Sequence, residues 1–109
     1  MRNVLVELKN MIEESVKSLP QIELAVIFGS IVKGMERADS DVDIFIVCKG
    51  EKSKLEDKLT GLTNISQNKF GNPVSLMIKH EEELQDLKTS IFREIKNGEI
   101  IFKREGFEW

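Results

Sequence analysis

Apolar positions along the chain follow two periods. Over residues 2–19, Val4, Leu5, Leu8, Met11, Ile12, Val16 and Leu19 recur every three or four residues, with Glu7, Lys9, Glu13, Glu14 and Lys17 between them. That spacing predicts an amphipathic helix, which Pro20 ends. Ile22 to Phe28 is a short apolar run without helical spacing, read as a strand buried on both faces. Gly29-Ser30-Ile31-Val32-Lys33-Gly34 is expected to turn into a short helix, and Met35 to Ser40 to form a polar loop. The clearest strand is Asp41 to Cys48. Beyond its first residues Val42, Ile44, Ile46 and Cys48 fall on one face and Phe45 and Val47 on the other, the pattern of a central strand.

Lys49 to Lys52 breaks that run, and a second helix is expected to carry Leu55, Leu59, Leu62 and Ile65, with Gly61 weakening its middle. Phe70-Gly71-Asn72-Pro73 reads as a turn and Val74 to Ile78 as a third strand. A last helical region begins at His80-Glu81-Glu82-Glu83, buries Leu84, Leu87, Ile91, Phe92 and Ile95, and is closed by Asn97-Gly98. Ile100 to Phe102 is a short final strand, followed by a tail from Arg104 to Trp109. The order α-β-α-β-α-β-α-β predicts an α+β fold, a mixed β-sheet with helices packed on it.

Composition narrows the class. A length of 109 residues suits one domain over 1–109 with one modest core, and the apolar share of 40% and charged share of 32% are those of a soluble globular protein. The net charge of -3 provides no bulk attraction to nucleic acid or to an anionic membrane, and neither is an expected partner. Cys48 has no second cysteine to pair with, which fits a reducing cytoplasm. No apolar run approaches the roughly 20 residues needed to span a bilayer, and the first seven residues are too charged for a signal peptide.

Two features carry candidate chemistry. Asp41 and Asp43 stand two apart at the start of the central strand, so an extended chain places both carboxylates on one face. Asp43 lies inside an apolar run, where a carboxylate needs a cation, a hydrogen-bond network or open solvent. Carboxylate oxygens suit Mg²⁺, which usually shares its shell with substrate phosphates. A solvated turn at Asp39-Ser40-Asp41, with one aspartate at a strand end, accounts for the pair equally well. The second feature is Gly29-Ser30 after the first strand. A glycine there lets a ligand approach the backbone, and a helix starting there favours phosphate. A Gly-Ser turn is also common without any ligand.

Together, Phe-Gly-Ser, a ten-residue spacer and Asp-x-Asp on a strand resemble the minimal members of the nucleotidyltransferase superfamily. Gly29, Ser30, Gly34, Ser40, Asp41 and Asp43 match its pattern, and Lys33 stands where an arginine is usual. The resemblance implies the nucleotidyltransferase fold and transfer of a nucleoside monophosphate, AMP from ATP, to an acceptor. Gly29, Ser30 and Lys33 would bind the triphosphate, and Asp41 and Asp43 would be catalytic and hold Mg²⁺. Arg37 is a further triphosphate contact or a solvated loop charge. Many minimal members act as antitoxins beside a HEPN-type protein and modify its tyrosine, so a HEPN-type partner is implied. This chain has no tyrosine of its own to modify.

One departure matters. Active members usually carry a third carboxylate on the next strand, and here Ser75 falls at that place. The alternative is therefore a weakly active or inactive module that binds Mg²⁺–nucleotide or a partner. Three other residues receive plainer expectations. His80 is a helix-entry residue, Cys48 a core filler, and Phe107 and Trp109 either cover the core or mark a partner surface.

Overall fold

The computed structural model describes residues 4–29, 42–71 and 74–109. Helix α1 (Val4–Lys17) leads to strands β1 (Ile22–Phe28) and β2 (Val42–Cys48), then helix α2 (Lys52–Phe70) and strand β3 (Val74–His80). A 3₁₀ turn (Glu81–Asp86), helix α3 (Thr89–Lys96) and strand β4 (Glu99–Lys103) complete the order. The four strands form one sheet in the order β3-β2-β1-β4. β1 pairs antiparallel with both β2 and β4, and β2 pairs parallel with β3, so the sheet is mixed as the element order predicts.

The two central strands were the most legible elements because both their faces are apolar. Every residue of β1 is buried, and every residue of β2 except Asp43 is fully buried. One face of the sheet carries Ile22, Ile27, Ile44, Ile46 and Cys48 against Leu8, Ile12 and Val16 of α1 and Leu55 and Leu59 of α2. The opposite face carries Leu24, Val26, Phe28, Phe45 and Val47 against Ile95 of α3 and Phe107. Each such aliphatic or aromatic side chain removed from water stabilises the fold by about 1.5–3 kcal/mol. The strands are therefore held in register from both sides, and a residue at a strand end inherits a fixed position. Among the described residues no helix is long and apolar enough to cross a membrane.

Three expectations need correction. Ile65 is 53% exposed rather than part of the buried stripe. Ten residues beyond Leu55, it lies about 80° round the helix from that side chain, away from the sheet. The last helical region is two pieces, because Leu87 and Lys88 adopt extended conformations between the 3₁₀ turn and α3. That break lets Leu84 and Leu87 join Ile91 on the same apolar layer. Gly98 follows α3 but is not a left-handed cap. Its backbone is pressed against β1, where an added Cβ would meet the Ile27 carbonyl oxygen at 2.5 Å and Phe28 Cβ at 2.9 Å. The short helix expected in the stretch from Gly29 to Gly34, and the polar loop from Met35 to Ser40, lie outside the described residues beyond Gly29.

Candidate active site

The predicted site residues divide into two groups. Ser30, Lys33 and Asp41, with Gly34, Arg37 and Ser40, lie outside the described residues. Gly29 and Asp43 are described, and the fold brings them together. Phe28 is the register partner of Asp43 across the antiparallel β1–β2 pair, so the strand end that delivers Gly29 lies beside the aspartate. Gly29 has φ +90°, a left-handed conformation that glycine adopts without strain. A Cβ on Gly29 would collide with the Asp43 Oδ2 atom and lie 3.4 Å from its Cγ. The missing side chain is what makes room for the carboxylate.

Asp43 shares its face with Phe45 and Val47, the face covered by α3 and the tail. It is half-buried, unlike the rest of β2. On the other side, β3 runs parallel to β2 and places Ser75 in register with Asp43. Side chains at paired positions share a face, so the row across this end of the sheet reads Phe28, Asp43, Ser75. Ser75 is exposed. It contributes a hydroxyl where a carboxylate would otherwise complete an acidic group. Among the described residues, no three His, Cys, Asp or Glu side chains gather closely enough to hold a metal ion.

The remaining candidates have structural explanations. His80 lies at the far end of the sheet from Asp43, in register with Cys48. Its Nε2 stands 2.5 Å from the Gly50 carbonyl oxygen, tying β3 to the loop before α2. Glu83 accepts the His80 backbone N–H at 2.8 Å and the Lys52 ammonium at 2.7 Å. Those two donors lower its carboxyl from 4.5 to about 2, the His80 N–H being the larger cause. The acidic residues after β3 thus close a 3₁₀ turn and anchor α2. Cys48 is buried, and loss of solvation pushes its thiol pKa up, which keeps it protonated and inert as a core residue. An open cleft of 320 Å³ at this same far end is lined by Glu23, Cys48, Lys49, Gly50, His80, Glu81 and Glu82, and contains none of the predicted site residues.

The tail packs back onto the sheet. Phe107 is 6% exposed and belongs to the apolar layer over β1 and β2. Trp109 packs with its ring centroid 5.8 Å from that of Phe45 and 5.6 Å from that of Phe92. Both aromatics cover the sheet face on which Asp43 stands. Sequence periodicity could not place them, because a six-residue tail has no repeating pattern.

A mixed sheet with helices packed on both faces, and a glycine-ended strand beside an aspartate, is the arrangement expected of a nucleotidyltransferase fold. The model of the family described as Polymerase beta, Nucleotidyltransferase matches residues 10–106, and the chain belongs to that family. Solved structures agree on the fold. A candidate nucleotidyltransferase from Sulfolobus solfataricus is 23% identical, with TM-score 0.53 over 97% of this chain and 93% of that one. A toxin–antitoxin structure with AMP-PNP is 17% identical, with TM-score 0.61 over 89% and 74%. A chain from the complex of tri-AMPylated Shewanella oneidensis HEPN toxin with MNT antitoxin is 14% identical, with TM-score 0.57 over 94% and 75%. Comparison with proteins of curated function finds no match.

Proposed function

We propose that this chain is a single minimal nucleotidyltransferase domain that moves AMP from ATP to a hydroxyl on a HEPN-type partner protein, as the antitoxin of such a pair. The observation that carries the reading is the juxtaposition of Gly29 and Asp43 within a chain of this family. The glycine conformation and the Asp43 carboxylate are fitted to one another at the end of the two buried central strands. The structures of similar fold include a toxin–antitoxin pair with AMP-PNP and an AMPylated HEPN toxin with its MNT antitoxin, which supports the choice of nucleotide and partner.

Nucleotidyltransferases generally use a divalent metal. Asp43, with Asp41, is the proposed holder of Mg²⁺, and the fit is chemically sound: a half-buried carboxylate supplies the hard oxygen ligands that this ion takes. When bound, the ion neutralises the triphosphate and the charge that develops at the α-phosphate. Gly29, Ser30 and Lys33 are assigned to the β- and γ-phosphates. In the reaction an acceptor hydroxyl oxygen bonds to the α-phosphorus and the bond from that phosphorus to the bridging oxygen breaks. Pyrophosphate leaves, and the hydroxyl proton passes to solvent or to a base on the partner. The work of the chain is positioning and electrostatics rather than covalent chemistry.

Ser75 favours a second reading, because its hydroxyl is a poor base beside Asp43. On that reading the chain binds Mg²⁺–ATP and its partner with little turnover. Incubation with α-labelled ATP, Mg²⁺ and a HEPN-type protein separates the two. Transfer is expected to label the partner and to disappear in Asp43→Asn. Saturable ATP binding with no label on the partner and no pyrophosphate release would establish the module instead.

A further inference from the structure

The Asp43 face holds one aromatic surface that the transfer reaction leaves unused. Phe28, Phe45 and Phe107 are buried. Trp109, two residues beyond Phe107, is only half-buried, and it is the single tryptophan of a chain without tyrosine. Its ring lies at a tilt of 31° to Phe45 and edge-on, at 61°, to Phe92. The exposed Lys96 holds its ammonium 4.0 Å from the centroid of the indole.

Both neighbours direct this assembly toward the candidate site. Phe45 follows Asp43 by two residues on β2, so its side chain stands on the same face about 7 Å further along. Lys96 is the last residue of α3, and Gly98, two residues on, lies against Phe28, the register partner of Asp43. An indole covered by a flexible cation thus sits beside the carboxylate end of the sheet. A solvated ammonium gains little from resting on a half-exposed ring, so it is easily displaced.

We propose that Trp109 is the stacking surface for the base of the bound nucleoside triphosphate, and that Lys96 is its movable cover. As the nucleotide enters, the base takes the ammonium's place on the indole and Lys96 turns to the phosphates. Stacking on an aromatic ring tolerates any base but rewards the larger purines. This inference rests on the proposed nucleotide site and adds the residue that reads the nucleoside.

Because the chain has one tryptophan, its emission reports the event directly. Titrating the whole chain with Mg²⁺–ATP and with Mg²⁺–GTP is expected to change Trp109 emission along the calorimetric binding curve, and Mg²⁺–UTP to bind several-fold more weakly. Mg²⁺–tripolyphosphate, which has no base, should bind with a different emission change from that of ATP, because Lys96 leaves the indole and no base takes its place. Trp109→Ala should weaken ATP about tenfold while leaving tripolyphosphate affinity unaltered, and Trp109→Phe should restore most of the loss. Retained tripolyphosphate binding shows that the variants are folded. ATP binding by calorimetry with unaltered emission, or equal affinities in wild type and Trp109→Ala, overturns this inference and leaves the nucleotide site standing. Emission that responds to the HEPN-type protein but not to nucleotide overturns it in favour of a partner contact. Failure of both ATP and tripolyphosphate to bind removes the nucleotide site and the stacking surface together.

Discussion

Gly29→Ala is expected to abolish Mg²⁺–ATP binding and to lower stability by about 1–3 kcal/mol, the cost of a non-glycine residue held in a left-handed conformation. Two effects act at that position and they can be separated. The backbone term comes from φ +90° and should be shared by any glycine with similar geometry. The steric term comes from the Asp43 carboxylate, which occupies the space an alanine methyl would need. Gly50 has φ +78° with nothing within 4 Å of an added Cβ, so Gly50→Ala carries the backbone term alone. Chemical denaturation should find both variants destabilised, while calorimetry finds nucleotide binding lost only in Gly29→Ala. Loss of binding in both would mean that the effect is global and that Gly29 makes no specific room for Asp43.

Ser75→Asp is the change with the largest expected gain. It places a third carboxylate in register with Asp43, on the neighbouring strand and on the same face. The new carboxylate can accept the proton of the acceptor hydroxyl, and a positioned general base contributes typically 10²–10⁴-fold. Pyrophosphate release in the presence of the partner protein should therefore rise by about 10²-fold. Without metal, like charges side by side disfavour one another, so the variant should melt below wild type and recover on adding Mg²⁺. Pyrophosphate release that stays at the wild-type rate would show that the missing acid does not limit turnover.

What could be read from the sequence followed from how each element is solvated. The bounds of β1 and the end of β2 at Cys48 are as expected, because runs such as Ile22–Phe28 have no helical spacing and end at Gly29 or Lys49. The family was recognisable from residues whose chemistry is local, a glycine turn and an Asp-x-Asp strand, and the nucleotidyltransferase fold is borne out. The break at Leu87 and Lys88 was hidden because the apolar spacing continues through it, although the backbone does not. Gly98 looked like a helix stop signal, and its closeness to Ile27 and Phe28 depends on a strand seventy residues earlier. Trp109 was undecidable for the same reason. Its place over Phe45 is a tertiary fact, set by how α3 and β4 return the tail across the sheet.

Everything proposed for this chain depends on the Asp43 end of the sheet binding a nucleoside triphosphate with Mg²⁺. Isothermal calorimetry of ATP into wild type and Asp43→Asn, with Mg²⁺ and then with excess chelator, tests it most directly. Saturable one-site binding is predicted for wild type with Mg²⁺ only, falling at least about tenfold in Asp43→Asn, or roughly 1.4 kcal/mol. Equal affinity in the two proteins, or binding indifferent to the chelator, would contradict it.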